Sequence, residues 1–453
     1  MLTVFGTDTC VSLDVKVGDL GIYFPADGQL SIEFCEANHL CRRKQDGTPD
    51  TGYMDPDKRN VTAIKLRGEK SDGIYLPIEC LAFTGAKLED FKPGDTVDVV
   101  NKIEICKKYI PRSNKTNRSN EGGNRTRKHK VDIAPLFKEH ADTEQLAYNL
   151  SAFKPGDEIE ITLKMHGTSQ RTAHVPTLKG YKRTLWDRIC GRPGTPVYEY
   201  GYVTGTRRCV LEPGKEGYYG SNEFREQHAA QFEGKLAKGE TVYYEVVGYT
   251  QDGGAIMPPA ANSKTKDKEF IKKYGDTTHF SYGCSPTGTK KVYGSDETSA
   301  FAIEEKVPQS DIYVYRMTIT NEEGFVVEYT PDFMRYRCEQ MGVKTVPVFW
   351  KGIITPTTKN KDCQEYACWC NELVGACGGE NAIGNMVREI AEQYYDGPDP
   401  IGKTHVREGV VVRIINRPKF CAYKHKNLSF KILEGIVKTD ADAPDMEEAQ
   451  EEK

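Results

Sequence analysis

The sequence has no apolar run long enough to span a bilayer, and its first residues, Met-Leu-Thr-Val-Phe-Gly-Thr-Asp, do not form a signal peptide. The expectation is a soluble, cytoplasmic protein with no membrane contact. Nor is there a strong excess of charge of one sign, because 62 Lys and Arg against 66 Asp and Glu leave a formal net charge of −4. The molecule as a whole is not a polycation, so any grip on phosphate has to come from local patches. Paired Cys-x2-Cys ligands are also missing. Among the 14 Cys the one cluster is Cys363, Cys368, Cys370 and Cys377, spaced Cys-x4-Cys-x-Cys-x6-Cys, a poor match to a structural zinc site. In a reducing compartment most of these thiols are expected to be buried and unbridged.

What is present is ordinary globular material: 453 residues, 38% hydrophobic, 28% charged, with 25 Tyr. That length accommodates two or three domains and a substantial core. Residues 1–105 are strand-rich and punctuated by turns, with alternating segments at 11–15, 63–67 and 73–77. Several short strands in so few residues predict a small all-β barrel of the oligonucleotide-binding type. A basic linker follows over 106–130. Between Lys107 and Lys130 it carries nine Lys/Arg, among them Lys107, Lys108, Arg112, Arg125, Arg127 and Lys128, against Glu121 alone, and it is expected to touch the phosphate backbone of RNA.

The turn Phe-Lys-Pro-Gly-Asp occurs twice, at 91–95 before a strand predicted over 96–100 and at 153–157 before a second strand. This reads as shared turn chemistry rather than duplication. Residues 134–149 are predicted helical. The chain from 131 to 437 mixes strands and helices and is broken by irregular stretches at 178–197 and 251–303, both read as surface insertions. Residues 438–453 are acidic and almost free of apolar side chains, which predicts a disordered tail.

The chemistry is concentrated in six short motifs. An alternating strand from Ile159 runs into Lys164-Met-His-Gly, and a lysine at a strand end beside a glycine is what covalent nucleotidyl transfer requires. Such an amine must be partly desolvated and must face a phosphate. Downstream come Thr206-Arg207-Arg208, suited to phosphate, and the strand 242–249 with a single carboxylate, Glu245, inside it. The aromatic strand 312–317 holds Tyr315, which could stack on a purine. Glu408-Gly409 precedes a hydrophobic strand, and Lys424 and Lys426 alternate on one face of another. Two cations on one face can grip an α-phosphate and stabilise the charge that develops during its transfer.

This order resembles the motif series of the covalent nucleotidyltransferase superfamily, which comprises polynucleotide ligases and mRNA capping enzymes. The resemblance implies an α+β fold: a mixed, antiparallel-sheet adenylation domain, ATP-grasp-like, preceded by the small barrel. It implies that Lys164 is the nucleophile that becomes lysyl-AMP and that Arg207, Glu245, Tyr315, Glu408, Lys424 and Lys426 bind the nucleotide. Glu408 and Glu245 would organise Mg2+ or Mn2+, partly through waters.

Within the superfamily, His140-Ala-Asp-Thr-Glu-Gln followed by Lys-Met-His-Gly-Thr-Ser, together with the segment 65–73, resembles the RNA ligases whose barrel comes first. His166 is a departure, since many ligases carry Asp there. Only 27 residues follow Lys426, too few for the C-terminal oligonucleotide-binding domain typical of DNA ligases and capping enzymes. The implied activity is ATP-dependent sealing of RNA 3′-hydroxyl and 5′-phosphate ends, nicked or broken, in RNA repair, with no protein partner. The alternatives are a capping-type guanylyltransferase and a catalytically inactive RNA-binding protein.

Overall fold

The computed structural model describes residues 1–4, 7–26, 28–66, 69–109, 132–141, 143–190, 194–207, 209–211, 223–293, 302–354 and 382–439. Arg112, Arg125, Arg127, Lys128, the cluster from Cys363 to Cys377 and the acidic tail beyond residue 439 lie outside them. The described chain mixes β-sheets with α-helices and divides into two compact units. One comprises Met1–Ser113, Ala260–Thr277 and Asn427–Ala449, and the other Asn114–Pro259, Thr278–Lys426 and Gln450–Lys453.

In the first unit Phe24, Leu30, Phe34, Leu81 and Ile105 form the core. Its described strands pair only two by two: Gly21–Phe24 with Ile74–Pro77, Gly28–Leu30 with Cys106–Lys108, and Ala63–Leu66 with Glu69–Asp72. No closed barrel forms among the described residues. Residues 11–15, read as a strand, are turn and coil with Leu13 fully exposed, because an isolated alternating pattern has nothing here to pair with. The strand predicted over 96–100 shrinks to Val99–Val100. The helix Leu428–Thr439 also belongs to this unit, and Lys431 on it is paired with buried Asp72.

The second unit contains strands β1 (Glu144–Gln145), β2 (Asp157–Lys164), β3 (Thr168–Lys182), β4 (Thr195–Gly205), β5 (Glu240–Gly248), β6 (Ser310–Thr320), β7 (Val326–Glu328), β8 (Val348–Ile354), β9 (Gly409–Ile414) and β10 (Cys421–Lys426). They make two five-stranded sheets, in the orders β1-β10-β9-β2-β8 and β4-β3-β5-β6-β7. All neighbours are antiparallel except β1 with β10.

Alternation on β2 puts Ile159 and Ile161 onto the core with Val410, Val412 and Ile414 of β9. The helix Ala382–Tyr395 covers that face through Met386, Val387 and Ile390, each large apolar side chain contributing roughly 1.5–3 kcal/mol on burial. The opposite face of β2 carries buried Glu160, which Arg335 neutralises at 2.7 Å. In the second sheet Val242, Tyr244, Val246, Ile312 and Val314 pack with Phe224, Met334 and Met341 from the helices Glu223–Ala230 and Pro331–Met341.

The repeated turn is built the same way twice. At both sites the glycine has positive φ (Gly94 +97°, Gly156 +90°), and the aspartate accepts from the lysine N–H three residues back, at 2.8 Å for Asp95 and 2.7 Å for Asp157. Lys-Pro-Gly-Asp therefore encodes one turn, with Pro presetting φ and Gly supplying the left-handed position.

Two expectations change here. The described residues of 134–149 do not form an α-helix: Pro135–Leu136 make a turn, Glu144–Gln145 pairs as β1, and Leu146–Tyr148 is a single 3-10 turn. Its apolar residues serve two different cores, Phe137 with Val175 and Leu146 with Ile159, which a single helix face could not do. The stretch 178–197 is not irregular either, since most of it is the tip of the β3–β4 hairpin, with the short helix Leu185–Ile189 capped by Thr184.

Candidate active site

Strand pairing alone assembles the centre of the site. On β2, Lys164 is opposite Gly409 of β9, and Gly409 is opposite Lys426 of β10. Three strand ends therefore meet at one glycine. Gly409 has φ +146°, and a Cβ there would lie 2.1 Å from the His425 carbonyl oxygen and 2.8 Å from the Lys426 Cα, so only glycine permits this spacing.

Glu408, one residue earlier, is buried at the junction. Its Oε1 is 2.7 Å from Lys164 Nζ and 3.4 Å from Lys426 Nζ. Lys164 keeps 21% of its side-chain surface exposed, whereas Glu408 keeps 3%. The amine is thus accessible while its counter-charge is not. Two ammonium groups thus converge on one carboxylate oxygen. Lys424, two residues earlier on β10, shares the face of Lys426 and pairs in register with Val411.

His166 and Gly167 make the turn from β2 into β3. The His166 N–H donates to the Tyr282 hydroxyl at 2.7 Å, and its ring meets Phe280 edge-on with centroids 4.5 Å apart. His166 Nδ1 is 3.7 Å from Glu408 Oε2, beyond hydrogen-bond range. A Cβ on Gly167 would fall 2.4 Å from the Val246 carbonyl oxygen and 2.9 Å from the Glu245 Cγ, so the turn lies directly on β5 beside Glu245. Every other residue of β5 is buried and Glu245 is only half-buried. Glu245 is thus the least buried residue of that strand.

Tyr315 and Arg207 belong to a second group, centred on His140. Ser169 of β3, in register with Glu245, hydrogen-bonds the Tyr315 hydroxyl at 3.0 Å and so ties Tyr315 to the strand that leaves Gly167. The His140 ring lies 5.3 Å from Tyr315 and 5.2 Å from Tyr243, and the His140 N–H donates to the Arg207 carbonyl at 3.2 Å. Arg316 donates to His140 Nδ1 at 3.0 Å and pairs with Glu328. Burial first, then the charges of Arg316, Arg207 and Arg171, hold the His140 imidazole well below its ordinary pKa, so it is neutral and accepts through Nδ1.

Lys107 and Lys108, the two described members of the basic segment, are exposed on the ordered strand Cys106–Lys108 of the first unit, with Lys107 bridged to Glu104 at 2.9 Å. The site residues that the sequence reading missed are Tyr282, Phe280, Arg316 and Glu328. Two aromatics at 280 and 282 inside a Gly- and Lys-rich stretch were the available signal for the first pair. Nothing in the local sequence marks the second.

No family model matches the chain, and no curated protein matches it. Among solved structures, a point mutant of a Naegleria gruberi RNA ligase with AMP and Mn is 14% identical, covering 95% of this chain and 91% of its own at a TM-score of 0.46. The same ligase with PPi is 16% identical, covering 92% and 88% at 0.44. A further mutant with ATP and Mn is 14% identical, with the same coverage and score. At identities this low and TM-scores below 0.5 the overlap assigns neither fold nor activity. No helix among the described residues is long and apolar enough to cross a membrane.

Proposed function

We propose that this chain is an ATP-dependent RNA ligase that joins 3′-hydroxyl and 5′-phosphate ends through a lysyl-AMP intermediate. The observation that carries the reading is the junction at Gly409, where strand register lets Lys164 and Lys426 both reach Oε1 of buried Glu408, at 2.7 and 3.4 Å. A lysine that is accessible, neighbours a second cation and touches a carboxylate able to take up its proton is equipped to attack a phosphorus.

In the first step the Lys164 amine forms a P–N bond to the α-phosphorus of ATP, the bond to the β-phosphate oxygen breaks and pyrophosphate leaves. An RNA 5′-phosphate oxygen then displaces Lys164 from the AMP. The 3′-hydroxyl of the other end attacks that 5′-phosphorus, forming the phosphodiester and releasing AMP. Lys426, Lys424 and Arg207 supply fixed cations, Tyr315 a stacking face, and Glu245 a carboxylate for ribose hydroxyls. The work is positioning and charge rather than a single general base.

A divalent ion fits this donor set in one manner only. No group of three or more His, Cys, Asp and Glu that could hold a metal occurs among the described residues, so an all-protein cage is not available there. Buried Glu408 and half-buried Glu245 are hard oxygen donors of the kind that hold Mg2+ or Mn2+ together with waters and substrate phosphates. Such an ion neutralises phosphate charge.

Residues 1–105, as an oligonucleotide-binding module, and 106–130, as a basic linker, are assigned to RNA on the strength of Lys107, Lys108, Arg112, Arg125, Arg127 and Lys128. RNA repair in the cytoplasm is the setting this chemistry suits.

The experiment is incubation with ATP labelled at the α-phosphate, followed by denaturing electrophoresis. Covalent label in the wild type that is lost in Lys164→Ala supports the reading. Label that persists in Lys164→Ala removes it. Label from GTP instead of ATP makes the protein a capping-type guanylyltransferase, and RNA binding without any label makes it an inactive RNA-binding protein.

A further inference from the structure

Segment 280–283 lies within the stretch 251–303 that the sequence presents as a surface insertion, yet its two aromatic side chains are not on the surface. Phe280 and Tyr282 are buried, and Tyr282 is held at φ +48°, a conformation that a bulky residue rarely adopts unless its surroundings enforce it.

Those surroundings are the loop that leads into Glu408. Asp399, fully buried, accepts from the N–H groups of Ile401, Gly402 and Lys403 at 2.7–2.9 Å and so fixes that loop. A Cβ on Gly402 would lie 2.7 Å from the Gly283 nitrogen and 3.2 Å from the Tyr282 carbonyl carbon, which makes backbone-on-backbone contact possible only with glycine. The buried His405 ring packs edge-on against Tyr282 at 4.5 Å and lies 5.4 Å from Phe280, and Ser281 Oγ is 3.3 Å from Thr404 Oγ1. On its other side the segment grips the turn after Lys164, through Phe280 on the His166 ring and the Tyr282 hydroxyl on the His166 N–H. Burial pushes the Tyr282 phenol well above its ordinary pKa, so its oxygen stays neutral and available as an acceptor.

We propose that Tyr282 is a positioning residue for Lys164: it clamps the turn after the nucleophile to the loop before Glu408, and so sets the 2.7 Å contact between the Lys164 amine and that carboxylate. The inference rests on the ligase reading. It assigns to an apparent surface insertion the task of holding the two halves of the transfer centre in register, by one hydrogen bond to a backbone N–H and one aromatic contact. Loss of that hydrogen bond leaves the ring packing in place but frees the turn, so the nucleophile should be mispositioned while the nucleotide pocket stays whole.

The test is single-turnover formation of lysyl-AMP from α-labelled ATP by full-length Tyr282→Phe, at a temperature well below its melting transition. The expected result is a rate constant lowered about tenfold, with KM for ATP within about twofold of the wild type. A wild-type rate constant, or a raised KM with an unchanged rate constant, overturns the assignment. Should Tyr282→Phe not fold, Gly402→Ala decides, because it forces the same contact apart from the other side. A matching loss of rate supports the clamp, and a wild-type rate overturns it. Absence of label in the wild type sinks the ligase reading and the clamp with it, whereas label in the wild type and a fully active Tyr282→Phe sink the clamp alone.

Discussion

Replacing Glu408 by Gln asks whether Lys164, Glu408 and Lys426 act as one electrostatic unit. The carboxylate is 3% exposed and lies 2.7 Å and 3.4 Å from two ammonium nitrogens. At an effective dielectric of about 20 those distances correspond to attractions of roughly 6 and 5 kcal/mol before desolvation is counted. Partial desolvation of the three charges offsets most of this, so the expected loss of stability in Glu408→Gln is about 3–5 kcal/mol, the cost of removing this buried counter-charge from Lys426 and the partly exposed Lys164. Adding Lys426→Met removes one of those stranded cations. The double variant should therefore recover roughly 1–3 kcal/mol relative to the sum of the single losses, while lysyl-AMP formation stays lost in both backgrounds. Urea unfolding of the wild type, the two single variants and the double variant measures the cycle, and α-labelled ATP measures the chemistry. Stability losses that add to within about 0.5 kcal/mol would mean that Glu408 and Lys426 are not coupled, and the account of the site would fail.

Gly409→Ala should destabilise the protein by roughly 2–5 kcal/mol and abolish covalent labelling, since the new methyl meets His425 and Lys426 at a positive φ; an active, stable variant would refute the three-strand junction. His228 is buried with its Nδ1 accepting from Gln231 and its Nε2 on Ser310, and burial lowers its pKa to about 4. Because the folded state favours the neutral ring, this contribution is complete above an unfolded pKa of about 6.5 and is lost as pH falls towards about 4, a change of roughly 3 kcal/mol. Urea midpoints at pH 7 and pH 4.5 should show the loss in the wild type and a flatter dependence in His228→Asn.

The motif residues were legible because their chemistry is local. A lysine at the end of an alternating strand and before a glycine declares itself, as does a lone carboxylate in an apolar strand or a pair of lysines with period two. The repeated Lys-Pro-Gly-Asp turn was legible for the same reason, because four consecutive residues contain all its determinants. Prediction failed where the determinant lay elsewhere in the chain. Residues 134–149 have a composition compatible with helix, but their apolar side chains are drawn to two separate cores, which one helix face could not serve. The barrel expected over 1–105 was inferred from alternation, which gives the two faces of a strand and says nothing about its partners. Segment 251–303 looked like surface because it is polar, yet Phe280 and Tyr282 within it are buried against the turn after Lys164.

By itself the sequence determined the kinds of groups available and the order in which the chain offers them: an amine at a strand end, further cations, two carboxylates and an aromatic face. Only the tertiary structure decided which of these touch. Lys164 and Lys426 are separated by 262 positions in the chain and share one carboxylate because antiparallel register brings both opposite Gly409. Register is fixed by which faces of β2, β9 and β10 must be buried, a property of the assembled sheet and of the helix packed on it, and it cannot be read from any strand alone.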